Sequence, residues 1–129
     1  HVSSPKAIDG RKGVMEMLLV NHPLDCPTCD KGGECDLQDV AFYVKNDRSR
    51  FGEPKRRFLT SAGSTFDEKQ IGPLMYLTMN RCIACFKCVR MLKEVAGEYD
   101  LGAFGRGVFT EIDVVKGQPI TNEFSGNTV

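Results

Sequence analysis

The spacing of the cysteines and of one histidine constrains this chain more than any other feature. The stretch H-P-L-D-C-P-T-C-D-K-G-G-E-C at 22–35 contains one imidazole and three thiols, those of His22, Cys26, Cys29 and Cys35. The remaining cysteines form a second set, Cys82, Cys85 and Cys88. Two thiols in a C-x2-C pair can reach the same metal centre, so the sequence predicts two metal sites.

Three disulfides are the alternative use of six cysteines. All six lie in two tight runs, and short gaps suit metal ligation better than cross-links between distant loops. We therefore favour metal binding.

The two sets differ in what they indicate about the metal. The first set supplies four ligands, enough for tetrahedral zinc or for a [4Fe–4S] cube with one iron held by imidazole. The second set, C-x2-C-x2-C, is typical of the iron–sulfur loops of bacterial ferredoxins. Zinc sites more often use a second pair of ligands further along the chain, and none follows here. Iron–sulfur clusters are favoured, and a zinc-stabilised interaction module stays as an alternative.

The second set lacks a fourth ligand within this sequence. The ferredoxin pattern continues with x3-C-P, whereas this chain has Leu92 and Lys93 at those positions. Either the fourth ligand follows Val129, or the second cluster is incomplete. Because the chain starts at His1, we expect it to be an interior piece of a longer polypeptide.

Composition limits the partners. The 129 residues include 17 basic and 17 acidic side chains, and this zero net charge argues against nucleic acid and anionic membranes as partners. The longest apolar run, 40–44, is far shorter than the ~18 residues of a membrane span. No acid–base pair, nucleophile elbow or phosphate loop is visible, so we expect electron transfer and no catalytic site in this chain.

The pattern of apolar residues, caps and turns predicts a small, irregular α+β module. Its ligand loops are backed by short helices, and its C-terminal part is strand-like. The predicted helices cover about 5–20, 36–45 capped by Asp36, and a short stretch after Cys88 that ends at Gly97. Residues 74–80 suit either a strand or a helix. Gly102, Gly105 and Gly107 are interpreted as turns, and 108–115 as a strand.

Three regions follow from this organisation. Residues 1–45 form a helical module for the first cluster, 46–73 form a basic and polar linker, and 74–129 form the second cluster-binding region. The basic run at 46–57 is either a contact surface for a partner or a solvated loop that packs on its own domain. Arg81, Lys87 and Arg90 flank the second set and either offset cluster charge or are ordinary surface charges.

The chain resembles the large iron–sulfur subunit of the peripheral arm of respiratory complex I, NADH:quinone oxidoreductase. The resemblance is carried by four stretches in the family's order: N-H-P-L-D-C-P-T-C-D-K-G-G-E-C-D-L-Q (21–38), G-P-L-M-Y-L-T-M-N-R-C-I-A-C-F-K-C-V-R (72–90), D-L-G-A-F-G-R-G (100–107) and E-F-S-G-N-T-V (123–129).

The resemblance implies which residues bind clusters. His22, Cys26, Cys29 and Cys35 match the ligands of one [4Fe–4S] cluster, and Cys82, Cys85 and Cys88 match three ligands of the next. The family's fourth cysteine follows the S-G-N segment by a few residues, so occupancy of the second cluster depends on a ligand beyond Val129. The implied function is to relay single electrons between clusters from the flavin side towards quinone.

The resemblance also implies a setting. A [2Fe–2S] domain precedes this segment in the family, a molybdopterin-oxidoreductase-like domain follows it, and other peripheral-arm subunits are partners. The expected location is the cytoplasmic face of the bacterial inner membrane, or the mitochondrial matrix equivalent, without membrane insertion.

The histidine-containing motif also looks like the module of iron-only hydrogenases and of NAD-linked hydrogenase or formate dehydrogenase subunits. Those proteins typically have a cysteine at the position of Leu92, which argues against this alternative.

Overall fold

The computed structural model describes residues 1–51 and 68–128. The chain divides into two compact units, His1–Arg57 and Phe58–Val129. Helices and short pairs of strands occur together, so the predicted α+β class is confirmed. None of the helices within the described residues is long and apolar enough to cross a membrane.

The N-terminal unit is a pair of helices joined by the first ligand loop. Helix α1 covers Pro5–Leu19, and the Ser4 side chain accepts a hydrogen bond from the Ala7 N–H at 3.3 Å. Helix α2 covers Asp36–Val44 and ends at Lys45, whose φ is 54°. The two helices pack against each other. Their buried apolar side chains are Met15, Leu19, Leu37 and Val44.

Both predicted helices of this unit are confirmed within one residue at their ends. The predicted cap of α2 is wrong, because Cys35 occupies the N-cap position and Asp36 is the first helical residue. A carboxylate is also favourable one residue further in, in the positively charged first turn of a helix. Sequence pattern alone therefore does not decide whether Asp36 is the N-cap residue or the first residue of the helix.

The segment after α2 returns to α1. The Asn46 side-chain amide donates to the Lys12 carbonyl at 2.9 Å. Arg50 donates to the Glu16 carboxylate from its backbone N–H at 2.7 Å and from Nε at 2.8 Å. The described part of the basic run thus packs on its own unit, whereas 52–57 lie outside the described residues.

In the described part of the C-terminal unit, 68–128, there are two short antiparallel strand pairs and one α-helix. Strand β1 (Lys69–Gln70) pairs with β2 (Tyr76–Leu77), with Lys69 opposite Leu77. Strand β3 (Leu101–Phe104) pairs with β4 (Glu111–Val114), with Leu101 opposite Val114. Helix α3 (Lys87–Arg90) continues into a π-helical turn, Met91–Ala96.

One apolar core joins these elements. Its buried residues are Ile71, Met75, Met79, Leu92, Leu101, Ile112, Val114 and Ile120. Leu92 and Ile120 are 0% exposed, which makes them its centre. In β4, Ile112 and Val114 are buried while Glu111 and Asp113 are partly exposed, the alternation of a strand with one covered face. Lys69 pairs with Asp113 at 2.6 Å.

Short helical turns account for the differences from the predicted strands. The stretch 74–80, left open between strand and helix, contains β2 and then a 3₁₀ turn at Met79–Arg81. The predicted strand at 108–115 begins only at Glu111, because Gly107–Phe109 is a 3₁₀ turn.

The predicted turn at Gly102 is wrong, because this glycine lies inside β3. A Cβ there would lie 3.2 Å from the ring of Phe104, so the missing side chain leaves room for that ring. The predicted helix end at Gly97 is confirmed, with φ at 75°.

Replacing Leu92 by alanine should destabilise the C-terminal unit by about 2–5 kcal/mol, because it opens a cavity in a closed core. Val95 lies in the same π-helical turn but is 77% exposed, so Val95→Ala is the matched control. Urea denaturation followed by circular dichroism measures both, and equal effects would contradict the assigned core.

The Glu16–Arg50 contact should make the stability of the N-terminal unit depend on pH. The hydrogen bond from the Arg50 side chain, followed by the one from its backbone, holds the pKa of Glu16 below its ordinary value. A carboxyl with a lowered folded-state pKa stabilises the fold above its unfolded pKa of about 4.3. This contribution disappears as the pH falls through the lowered value.

Glu16→Gln should therefore lower the urea midpoint at neutral pH, and the difference from the original protein should shrink as the pH falls below about 4. Asp9→Asn removes an exposed carboxylate from the same helix and leaves the Arg50 contact intact, so it is the matched control. A difference that persists unchanged into acid would argue against an ionic role for Glu16.

Candidate metal centres

The first ligand loop runs from the end of α1 to the start of α2. His22 is half-buried and lies three residues after Leu19, the last residue of α1. Cys26, Cys29 and Cys35 are also half-buried, and all three are free thiols. The four predicted ligands of the first site thus belong to one loop between two packed helices.

The C-x2-C pair of this loop forms a closed turn. Residues Cys26–Thr28 are a 3₁₀ turn, in which the Thr28 N–H donates to the Asp25 carbonyl at 2.9 Å. The Cys29 N–H donates to the Cys26 carbonyl at 3.4 Å. These bonds fix the backbone between the two thiols.

The glycine pair that follows is required by the shape of the loop. A Cβ on Gly32 would lie 2.6 Å from the Cys26 carbonyl oxygen and 3.0 Å from that of Cys29, so the chain passes directly against the first turn. The Gly32 N–H donates to the Cys29 carbonyl at 2.9 Å. Gly33 has φ at +93°, a left-handed conformation that favours glycine.

Cys35 completes the loop at the N-cap of α2. This position lies at the positive end of the helix dipole, which attracts negative charge. Asp36 and Asp39 lie in the same first turn and add negative charge there.

The second ligand loop lies between the Met79–Arg81 turn and α3. Ala84 and Phe86 both have positive φ, at 53° and 59°, although neither is glycine. The Ala84 N–H donates to the Cys82 sulfur at 3.3 Å. Backbone N–H groups directed at ligand sulfurs are typical of iron–sulfur loops, where they tune the reduction potential.

The thiols of this loop affect one another electrostatically. Burial raises the pKa of Cys82, and negative charge on Cys85 raises it further. Burial also raises the pKa of Cys88, with additional contributions from Cys82 and Cys85. Cys82 and Cys88 therefore resist deprotonation in the absence of a metal, and a bound metal would reverse this effect and hold them as thiolates.

Both loops offer the donor atoms that an iron–sulfur cluster uses. Within residues 1–51 and 68–128, no three His, Cys, Asp or Glu side chains converge on one metal-ion position. The thiols of both loops, with the imidazole in the first, are suitable donors for a [4Fe–4S] cube, in which each ligand binds a different iron. The individual ligands stay a prediction.

One position that provides a metal ligand in the ferredoxin pattern is part of the apolar core in this chain. Leu92 occupies the place of the usual fourth cysteine and is 0% exposed among apolar side chains. Cys82 and Cys88 pack against the same core.

Of the predicted flanking cations, Arg90 is bonded to Glu94 four residues further along the chain through two 3.0 Å contacts, which balances its charge locally.

Sequence analysis missed two contacts near the loops. Gln38 accepts a hydrogen bond from the Gly33 N–H at 3.1 Å. The only signal for it was the position of a glutamine three residues after an N-cap. The Ser125–Thr128 turn packs against α3 and the π-helical turn, and no local pattern indicates such a long-range contact.

Two family models match separate parts of this chain. One is described as the NADH-ubiquinone oxidoreductase-G iron-sulfur binding region and matches residues 11–50. The other is described as the ferredoxin-like domain of NADH-quinone oxidoreductase subunit 3 and matches residues 72–129. Each match contains one of the two ligand loops.

Curated relatives match nearly the whole chain. The mitochondrial NADH dehydrogenase [ubiquinone] iron-sulfur protein 1 of Solanum tuberosum is 49% identical over 126 residues, which cover 98% of this chain and 16% of that protein. The NADH-ubiquinone oxidoreductase 75 kDa subunit of Reclinomonas americana is 49% identical over 127 residues, covering 98% of this chain and 17% of that protein. The chain thus spans less than a fifth of the length of these relatives.

A bacterial relative shows the same extent of similarity. An NADH-quinone oxidoreductase subunit of Rickettsia prowazekii (strain Madrid E) is 43% identical over 129 residues, which cover 100% of this chain and 18% of that protein. Similarity to mitochondrial and bacterial proteins therefore includes both ligand loops.

A solved structure shares the fold. A chain in the crystal structure of an NAD+-reducing [NiFe]-hydrogenase in the H2-reduced state has a TM-score of 0.71 and 29% sequence identity. The similarity covers 89% of this chain and 45% of the hydrogenase chain.

Replacing Gly32 by alanine should prevent normal metal loading of the first loop, because the added Cβ collides with two backbone carbonyls. Gly10→Ala is the control, since a Cβ at Gly10 meets nothing within 4 Å. It should stabilise α1 by about 0.5–1 kcal/mol. Iron and acid-labile sulfide after anaerobic reconstitution report the outcome, and normal loading of Gly32→Ala would contradict the assigned loop geometry.

Proposed function

Because the chain belongs to the family of the large iron–sulfur subunit of NADH-quinone oxidoreductase, we propose that its two ligand loops hold [4Fe–4S] clusters that relay single electrons. The observation that carries this proposal is that each unit presents one set of candidate ligands on a single loop between its packed elements. His22, Cys26, Cys29 and Cys35 lie on a loop closed by α1 and α2. Cys82, Cys85 and Cys88 lie on a loop backed by the apolar core of the other unit.

The first cluster is held by the imidazole of His22 and the thiolates of Cys26, Cys29 and Cys35. The second is held by Cys82, Cys85 and Cys88, with a fourth ligand from a residue that follows Val129. The Ser125–Thr128 turn supports this choice, because it packs on the helix that contains Cys88. We therefore place the proposed fourth ligand in the segment that follows this turn.

The clusters supply reversible one-electron chemistry, and the protein sets how easily each accepts an electron. His22 is a neutral ligand where thiolate is anionic, so it leaves the first site one unit less negative and favours the reduced state. Cys82 and Cys88 lie against an apolar core, where low polarity disfavours added negative charge. The two sites are therefore tuned by different means.

The wider assignment follows the family. Electrons pass from the flavin side towards quinone, so this chain acts within an NADH:quinone oxidoreductase and has no catalytic site of its own. Residues 1–45 and 74–129 are the two cluster-binding regions, and 46–73 link them. A [2Fe–2S] domain precedes them and a molybdopterin-oxidoreductase-like domain follows.

Other peripheral-arm subunits of the complex are the partners. The complex faces the bacterial cytoplasm or the mitochondrial matrix.

A hydrogenase module is the second candidate, since the similar solved structure is an NAD+-reducing hydrogenase. Leu92 argues against a ferredoxin-type second site of that kind, because an apolar side chain fills the position of the fourth cysteine. The higher identity of the NADH oxidoreductase relatives, 43–49% against 29%, also favours the complex I assignment.

Metal analysis and a redox titration test the proposal together. Anaerobically purified protein should contain about four iron and four sulfide for each filled cube. Electron paramagnetic resonance should show signals that appear and disappear reversibly with potential. Zinc without sulfide after reconstitution would instead support an interaction module and overturn the electron-transfer role.

Replacing His22 by cysteine should keep the first cluster and lower its midpoint potential, because an anionic ligand replaces a neutral one. His1→Gln is the control, since His1 lies outside both loops. An unchanged potential in His22→Cys would show that His22 is not a ligand.

A further inference from the structure

Gln38 links the first ligand loop to the helix that follows it. It is the third residue of α2 and is half-buried. Its side-chain oxygen accepts a hydrogen bond from the Gly33 N–H at 3.1 Å. Gly33 lies between Cys29 and Cys35, so the bond joins α2 to the part of the loop that sets the separation of these two thiols.

The loop needs such a link because its backbone adopts a conformation that is unfavourable for most residues. Gly33 is left-handed at φ +93°. Gly32 lies against the carbonyls of Cys26 and Cys29. Within this turn the Gly32 N–H is bonded to Cys29 and the Glu34 N–H to Lys31. The Gly33 N–H instead donates a hydrogen bond to the side-chain oxygen of Gln38 in α2.

The start of α2 explains why a glutamine is useful at this position. A helix usually begins with a side chain that caps its first N–H groups, but Cys35 at the N-cap makes no side-chain cap bond. If the Cys35 thiolate binds the metal, it is not available to cap the helix. Glutamine at the third helical position commonly reaches back over the helix start. Here it reaches two residues beyond the N-cap, to Gly33.

We propose that Gln38 is a positioning residue for the cluster held by His22, Cys26, Cys29 and Cys35. Its amide oxygen fixes the Gly33 peptide, and this peptide holds Cys29 and Cys35 in the separation that the cluster requires. The inference depends on the proposed cluster at this loop. It assigns no ligand role to Gln38 itself.

Two replacements separate positioning from packing. Leucine has a similar size but cannot accept the Gly33 hydrogen bond, so Gln38→Leu removes the link while filling the space. Glutamate keeps an acceptor oxygen and tolerates the first turn of a helix, so Gln38→Glu preserves the link. It also adds a negative charge near the cluster, which makes reduction harder.

The experiment compares cluster loss and potential in the anaerobically purified protein. Removing a group that hydrogen-bonds a metal ligand typically costs 10–100-fold in metal affinity. Gln38 acts on the Gly33 peptide and not on a ligand, so we expect the low end of this range, with Gln38→Leu losing the first cluster to a chelator about tenfold faster than the original protein. Gln38→Glu should lose it at the original rate but show a lower midpoint potential. Gln70→Leu, on an exposed residue of β1, is the matched control and should change neither quantity.

The outcomes distinguish this inference from the proposed function. If the original protein contains no cluster at the first loop, the proposed function fails. If that cluster is present and Gln38→Leu retains it at the original rate, Gln38 has no positioning role. Circular dichroism and the urea midpoint of the N-terminal unit show whether Gln38→Leu is folded. If it is misfolded, Gln38→Glu decides, and rapid loss there despite the retained acceptor overturns the proposal.

Discussion

The fold depends on holding thiols at fixed points on loops that contribute little to any core. None of the residues in 22–35 or 82–88 is fully buried. Each loop is instead anchored on both sides by buried apolar residues. Leu19 and Leu37 flank the first loop, and Met79 and Leu92 flank the second. The hydrophobic energy that orders the ligands therefore comes from outside the loops, in residues only two to four positions away.

The two loops reach their shapes by different physical means. The first uses glycine for close approach at Gly32 and for positive φ at Gly33. The second places Ala84 and Phe86 in left-handed conformations, each of which is unfavourable by roughly 1–2 kcal/mol for a residue with a Cβ. Two of its thiols, those of Cys82 and Cys88, pack directly on an apolar core, whose contacts offset this strain. The first loop is closed by its own backbone hydrogen bonds and by the bond from the Gly33 N–H to Gln38.

Local sequence signals predicted the local features well. Ser4-Pro5 marked the start of α1, and Gly97 marked the end of the helix after Cys88. Features that depend on distant residues were not predictable. The place of Gly102 in β3 depends on the ring of Phe104, and the return of Arg50 to Glu16 joins residues 34 positions apart. The cluster ligands stay a prediction, and spacing could suggest them because metal geometry is itself a local constraint on the chain.

Leu92 shows how core and ligand roles are divided in the C-terminal unit. In the ferredoxin pattern this helical position provides a thiol, so the helix carries two ligand cysteines. Here the same position is, with Ile120, one of the two most buried points of the core, and the helix stabilises the unit instead. Under the proposed function the fourth ligand of the second cluster then comes from another segment, and the Ser125–Thr128 turn packs on this helix. Burying Leu92 thus commits this helical position to the core, and the proposed ligation has to be completed elsewhere.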